Sequence, residues 1–341
     1  MDPLRVAWIG VGWWGNVLAA AAVRAGTLKI VGGTARSADK RAAFAQKYTA
    51  RDYDTVATLL RDPEVEGVVI ATPHSVHAEQ IVAAGRAGKH VFVDKPFTLN
   101  VADARRATDA CGQAGVVLAV GHQRRKHPAH RALKKMLGES AFGRVAQIEG
   151  NFSADGGFTM VKPGAWRAVA EETPGGAMTN LGIHHVDTYQ YLLGPIVRVM
   201  AMSRQVALTG VPTDDATSIL FEFASGSLGY LGTSWVHANR TATLTLHGTD
   251  AQAWAEDDGG TLFVAKRGEA ERTAIPLGKV DALVEELAEF ARCVREKTRP
   301  EVSGEEGISN TAVLEAIVES AATGRAADVR RRPTGAARPP E

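Results

Sequence analysis

The chain has 341 residues, 45% of them hydrophobic and 23% charged, with 39 Lys and Arg against 38 Asp and Glu and a net charge of +1. That length implies about two domains, each able to bury a core without disulfide staples. So even a charge balance argues against a nucleic-acid binder driven by bulk charge, and so ordinary a composition excludes a collagen-like or disordered chain.

The first 120 residues alternate short apolar strands with helical patterns. Strands are expected at Val6–Ile9, Leu28–Thr34, Gly67–Ala71, His90–Val93 and Val116–Val120, and helices at Asn16–Ala25, Lys40–Lys47, Val76–Ala87 and Val101–Ala114. Strands rich in β-branched residues and nearly continuous in apolar character are buried on both faces, so the fold class is α/β with a doubly wound parallel sheet. The N-terminus runs straight into the first strand with no charged leader, and no apolar run reaches the roughly 18 residues needed to span a bilayer. The two cysteines, Cys111 and Cys293, are far apart and form no CxxC, which fits a reducing compartment. The expectation is a soluble, cytoplasmic protein.

Farther on, Pro128–Leu137 reads as a helix, Arg144–Phe152 as a long alternating strand and Met178–Leu193 as a helix rich in ring-bearing side chains. Val197–Val206, Asp215–Phe223, Ser227–Val236 and Thr241–Gly248 alternate with period two, as an open, mostly antiparallel sheet does. Asp281–Glu296 is amphipathic and Gly304–Thr323 forms another helix. These patterns divide the chain into an α/β domain over 1–121, an α+β domain over 122–329 and an Arg/Pro-rich tail over 330–341 expected to be disordered. An amphipathic sheet with an exposed apolar face is an aggregation liability unless a second copy covers it.

Gly10-Val11-Gly12-Trp13-Trp14-Gly15 lies directly after the first strand and before the first helix. There the first glycine permits the tight turn, the second lets backbone approach a pyrophosphate, and the third lets helix and strand pack closely. The helix N-terminus adds free N–H groups and a positive dipole end for phosphates. An NAD site usually places Asp or Glu about 20 residues on, to bind the ribose hydroxyls. Here the second strand ends in Ala35-Arg36-Ser37, followed by Lys40 and Arg41. Ala35 leaves room, Ser37 offers a hydroxyl, and the planar Arg36 fork suits a 2′-phosphate. Basic residues at a helix start oppose its dipole, which favours a ligand-binding role. NADP is therefore favoured over NAD.

Ile70-Ala71-Thr72-Pro73-His74-Ser75-Val76-His77, Ala87-Gly88-Lys89-His90-Val91 and Asp94-Lys95-Pro96 resemble the signature of the glucose–fructose oxidoreductase / inositol dehydrogenase / rhizopine-catabolism (Gfo/Idh/MocA) family. Gly175-Gly176-Ala177-Met178, Gly182-Ile183-His184 with Asp187, and Pro300–Gly304 extend the resemblance to about Val329. It implies a Rossmann domain followed by an open-sheet substrate domain. It also implies hydride transfer between nicotinamide and a secondary alcohol or ketone of a sugar, cyclitol or cyclic diol, and a homodimer or homotetramer. Thr72, Pro73, His74, His77, Asp94, Lys95 and Pro96 would line the cofactor site, and Lys95, Asn180 and His184 would be the catalytic set. Two positions depart from the family pattern: its Glu is Asp94, and its Asp is Asn180, so His184 lacks an anion that would raise its pKa.

Histidine titrates nearest neutrality and suits the proton transfer that accompanies hydride loss. Residues 180 and 184 are one helical turn apart, so both can face one pocket. Lys95 follows a strand at the carboxyl end, where open α/β sheets bind ligands. Arg124, Arg125, Trp166, Arg167, His185 and Asp187 are candidate substrate contacts, an arginine favouring a carboxylate-bearing or heavily hydroxylated substrate. The histidines show no zinc spacing, so no metal is expected. A redox-assisted glycosidase and a non-catalytic dinucleotide-binding regulator remain alternatives.

Overall fold

The computed structural model describes residues 2–330, so the Arg/Pro-rich end beyond Arg330 lies outside the described residues. These form two compact units, residues 2–123 with Asp281–Ile308, and Arg124–Val280 with residues 309–330.

The first unit runs β1 (Leu4–Ile9), α1 (Trp13–Ala25), β2 (Leu28–Thr34), α2 (Ala38–Tyr48), β3 (Arg51–Asp52), α3 (Val56–Arg61), β4 (Gly67–Ile70), α4 (His77–Arg86), β5 (His90–Asp94), α5 (Val101–Gln113) and β6 (Leu118–Gly121). Its sheet has the order β3-β2-β1-β4-β5-β6, parallel throughout. Val6, Trp8, Val69 and Phe92 are buried in it because helices cover both faces. The order reverses between β2-β1 and β4, so a crevice opens past the carboxyl ends of β1 and β4. α1 stops at Gly26, whose left-handed φ of 67° closes the last turn. The short α3, which hydrophobic periodicity does not reveal, is nucleated by a capping box between Thr55 and Thr58.

The second unit begins with α6 (Pro128–Gly138), β7 (Val145–Ser153) and α7 (Gly157–Met160). A π-helical turn, Met178–Gly182, leads into α8 (Ile183–Leu193). Then come β8 (Ile196–Arg204), β9 (Ala216–Phe223), β10 (Leu228–Ser234), β11 (Thr241–Gly248), β12 (Ala251–Glu256), β13 (Thr261–Lys266) and β14 (Thr273–Ala274). The chain next returns to the first unit as α9 (Ala282–Glu296), and after α10 (Gly304–Thr323) ends in β15 (Ala327–Asp328). The second sheet is nine-stranded among the described residues, β14-β13-β12-β11-β7-β10-β9-β8-β15, antiparallel except where β7 meets β10. Ile148, Ile219, Phe221, Leu231, Leu244 and Leu246 point to one face and pack under Val186 and Tyr189 of α8 and Val313 and Ile317 of α10. The alternate positions Met200, Met202, Leu220 and Tyr230 stand on the other face, which is exposed in the single chain.

Sequence periodicity groups Asp281–Glu296 with the α+β half, whereas α9 packs in the first unit. Leu287, Phe290, Ala291 and Val294 join Trp8, Leu18 and Phe92 in its core. Ion pairs from Arg24 to Asp281 (2.8 Å) and from Arg295 to Glu66 (2.8 Å) flank that packing. An amphipathic stripe says that a helix is covered, not by which part of the chain. Among the described residues no helix is long and apolar enough to cross a membrane.

Candidate active site

The turn between β1 and α1 is closed below and open above. Gly10 has φ 97°, and a Cβ there would stand 2.5 Å from the Ala71 carbonyl oxygen. A Cβ on Gly15 would come within 2.1 Å of the Gly10 oxygen, so helix and loop touch backbone to backbone. A Cβ on Gly12 would meet nothing within 4 Å. α1 carries no side-chain cap and no acidic residue in its first turn, leaving its N–H groups for an anion. Asn16 braces the turn, its Nδ2 donating to the Val11 and Gly12 carbonyls at 2.9 and 3.1 Å. This cradle fits the pyrophosphate of a nicotinamide dinucleotide. Trp13 stands exposed beside it, its ring 5.6 Å from that of Trp14.

At the end of β2, Ala35 is half-buried while Arg36 and Lys40 are exposed. Ser37 caps α2 by accepting from the Lys40 amide at 3.4 Å. Arg41 is already engaged: its Nε lies 2.8 Å from Asp52 Oδ1 and its Nη1 donates to the Ala35 carbonyl at 3.0 Å. Asp52 reaches this edge because β3 pairs with Gly32 and Gly33. A carboxylate therefore does stand near the strand end, brought from the neighbouring strand. Spacing counted along β2 cannot show it.

Across the crevice, the Thr72 hydroxyl donates to Gln80 at 2.7 Å. His77 is buried, with Nδ1 3.0 Å from the Pro96 carbonyl and Nε2 3.1 Å from that of Thr72. It thus ties the Thr72–Pro73 turn to the Lys95–Pro96 turn. Burial pushes its pKa down, against the pull of Asp94. His74 is buried beside it, the two rings 5.8 Å apart. Burial raises the Asp94 carboxyl above its usual range, opposed by Lys95 and the Trp14 indole. The Lys95–Pro96 peptide is cis.

In the second unit, Asn180 sits inside the π turn and its Nδ2 donates to the Gly176 carbonyl at 3.3 Å. Gly176 has φ 56°, and a Cβ there would fall 1.7 Å from the Asp214 oxygen, so backbone contact demands glycine at 176, while Gly175 is favoured by its φ of 73° alone. His184 opens α8 and is buried, its ring 5.7 Å from that of Phe152 on β7. π turns of this kind recur at functional sites.

Several expected substrate contacts are turned inward. His185 Nε2 lies 3.0 Å from the Thr243 carbonyl, and burial, with Arg124 adding to it, pushes its pKa down to about 3. Arg125 and Asp187 hold each other in a buried two-pronged pair, Nε to Oδ2 at 2.8 Å and Nη2 to Oδ1 at 2.6 Å. Their charges answer each other within the protein. Arg124 is buried against Asp258, with its guanidinium 4.3 Å above the Phe152 ring. Arg240 reaches the second Asp258 oxygen at 2.5 Å and the same ring at 5.1 Å. Arg167 stacks on Trp166 at 4.2 Å, both half-buried. Sequence reasoning misses Phe152, Arg240, Asp258 and Asn310. Asp257-Asp258-Gly259-Gly260 reads only as a turn, and Asn310 lies inside a helix with no local signal.

Among the described residues no cluster of three or more His, Cys, Asp or Glu could hold a metal ion. Residues 4–122 match the model of an oxidoreductase family with an NAD-binding Rossmann fold, and residues 130–254 match the Gfo/Idh/MocA C-terminal domain. The 1,5-anhydro-D-fructose reductase of Ensifer adhaerens is 28% identical over 90% of this chain and 93% of its own. The scyllo-inositol 2-dehydrogenase (NAD(+)) of Bacillus subtilis is 28% identical over 81% and 82%. A Desulfitobacterium hafniense crystal structure, provisionally described as an NADPH-dependent oxidoreductase, is 31% identical with a TM-score of 0.90, covering 96% of this chain and 98% of that one. The chain belongs to the Gfo/Idh/MocA family of nicotinamide dinucleotide-binding oxidoreductases.

Proposed function

We propose that the protein is an NADP-dependent dehydrogenase or reductase acting on a secondary hydroxyl or ketone of a sugar-like, cyclitol or cyclic diol substrate. The exposed Arg36 at the end of β2, beside Ala35 and the helix-capping Ser37, carries the cofactor choice. A guanidinium there pairs with a 2′-phosphate dianion, whereas an NAD site would hold a carboxylate on that strand. Arg41, held by Asp52, supports the loop instead. Relatives of both kinds exist, the Bacillus subtilis enzyme named for NAD(+) and the Desulfitobacterium hafniense protein for NADPH.

The nicotinamide, when bound, supplies the hydride acceptor or donor. Lys95 polarises the reacting oxygen, His184 moves its proton and Asn180 orients the histidine without adding charge. Trp166 and Arg167 offer the flat surface and cation for a hydroxylated ring. The exposed apolar face bearing Met200, Met202, Leu220 and Tyr230 is the surface through which two or four copies of this cytoplasmic protein assemble.

The test is a panel of sugars, cyclitols and cyclic diols with both cofactors, followed by nicotinamide absorbance. Turnover with NADP supports the reading. No absorbance change with any substrate overturns it, and release of free sugar without net absorbance change identifies a redox-assisted glycosidase.

A further inference from the structure

His184 has a buried polar network one helical turn behind it. Asp187 Oδ1 accepts from Arg125 Nη2 at 2.6 Å and from Asn310 Nδ2 at 2.8 Å, while Oδ2 accepts from Arg125 Nε at 2.8 Å. Asn310 Oδ1 in turn accepts from Gln190 Nε2 at 2.8 Å, and Gln190 Oε1 accepts from the Ser309 hydroxyl at 2.9 Å. The Arg125 guanidinium also lies 5.2 Å above the ring of Tyr191. Positions 184, 187 and 191 share one face of α8. That face is therefore gripped by the turn at 123–126 and by α10.

The grip acts where the backbone alone is weakest in information. α8 grows out of a π turn, so the segment before His184 does not impose an α-helical rotation on it. Apolar packing by Val186 and Leu192 tolerates small rotations, because dispersion has no direction, and the Tyr189 hydroxyl adds a single bond, to the Tyr230 carbonyl at 2.8 Å. A two-pronged guanidinium–carboxylate pair with a carboxamide on the same oxygen does have direction. Turning α8 by one residue, about 100°, would carry Asp187 away from Arg125 and strand both charges in a dry interior.

We propose that Asp187, Arg125 and Asn310 are positioning residues for His184: they fix the rotation of α8, and with it the direction of the imidazole, without touching substrate. The catalytic consequence rests on the proton-transfer role assigned to His184 above. Misplacing a reacting group by about 1 Å can cost about a hundredfold in rate. A brace that served stability alone would be served as well by apolar residues of the same volume.

Asn310→Ala removes the donor to Asp187 and the acceptor of Gln190, and leaves the ion pair in place. The double variant Arg125→Met/Asp187→Leu removes the charges as a matched set, so no lone charge is left to unfold the chain. In each, the full-length protein is measured for kcat, KM, dinucleotide Kd and the ¹⁵N signals of the His184 ring. The expected result is a moved His184 signal and a kcat ten- to a hundredfold lower, with dinucleotide Kd within twofold of the parent. An unmoved ring signal in both variants overturns the proposal whatever kcat does. A kcat within twofold of the parent overturns it too, provided His184→Ala is itself inactive. A moved signal with His184→Ala still fully active supports the positioning and refutes the proton-transfer role instead.

Discussion

Around Gly12 the first unit offers backbone; around His184 the second offers side chains. The glycine turn is shaped by backbone contacts, within the turn itself and with Ala71 just past β4, and two of its glycines are required by carbonyl oxygens 2.1 and 2.5 Å from where a Cβ would stand. The histidine ring lies against Phe152 from β7, and its helix is bonded at Asp187 to Arg125 and Asn310, all far away in the chain. A phosphate-binding turn needs only N–H groups aimed at an anion, which any residue supplies once the φ angles are right. Proton transfer, the role proposed for His184, needs a particular ring in a particular direction, which the proposed brace would supply through a buried ion pair.

Removing the ring should separate the two units' roles most sharply. His184→Ala should lower the turnover rate by about 10²–10⁴. Its dinucleotide affinity should stay within about threefold, because the glycine turn and Arg36 are untouched. Stopped-flow turnover and a dinucleotide titration check both halves. A variant that loses both equally would show that the two sets of groups are not separable.

Acid probes the same contrast, since a backbone cradle does not titrate and buried histidines do. His185 has its pKa pushed down from 6.5 to about 3 by burial, and His77, His90, His127 and His130 are lowered for the same reason. A histidine depressed in the folded state binds its proton more readily when unfolded. Stability from it is thus complete above about pH 6.5 and is lost progressively as pH falls toward 3. For His185 alone the loss at pH 4 would be about 3 kcal/mol. Tm measured from pH 7.5 to 4 should fall steeply below pH 6.5, and His185→Gln should flatten the slope. A Tm independent of pH across that range would contradict the buried neutral state.

The contrast also explains what could be read from sequence. Leu28–Thr34, Thr241–Gly248 and Gly304–Thr323 fall in the structure where periodicity places them, and both glycine motifs declare themselves because φ or close approach demands glycine at Gly10, Gly15 and Gly176. β12 reads Ala-Gln-Ala-Trp-Ala-Glu, whose alanines carry little strand preference, so its place in the sheet comes from pairing with β11 and β13. The membership of α9 is a matter of chain return, to which local pattern is blind. Arg125 and Asp187 look like ligands one at a time; only their pairing across 62 residues shows that each answers the other. Asn310 and Asp258 have no local signature at all.

Within the glycine turn, two substitutions separate folding from binding. Gly10→Ala puts a side chain at φ 97° against the Ala71 carbonyl and should cost about 1–3 kcal/mol of stability from backbone strain alone. Gly12→Ala meets open space at φ −69°, so stability should change by less than about 0.5 kcal/mol. Its methyl nevertheless occupies the approach of the pyrophosphate, and dinucleotide Kd should rise at least tenfold, about 1.4 kcal/mol. Thermal melts beside a fluorescence titration decide it. If Gly12→Ala binds dinucleotide as the parent does, the open space is not the phosphate site.

The choice between the two cofactors turns on a single exposed side chain. Arg36 and Arg41 lie at the same strand end, but Arg41 is paired with Asp52 and bonded to the Ala35 carbonyl, while Arg36 is exposed. A 2′-phosphate should therefore take its charge from Arg36, giving NADP at least a tenfold advantage over NAD, about 1.4 kcal/mol. Arg36→Ala should erase that preference and leave NAD affinity nearly unchanged, because the adenosine ribose hydroxyls have no other claim on the guanidinium. Arg41→Ala should weaken both cofactors alike, since it loosens the loop rather than the charge. Titrating the parent and both variants with the two cofactors gives six constants, and the proposal requires that only Arg36→Ala change their ratio. Equal affinities in the parent would refute the NADP assignment. A ratio that moves with Arg41→Ala instead would make Asp52, by releasing its partner, the residue that decides between the cofactors.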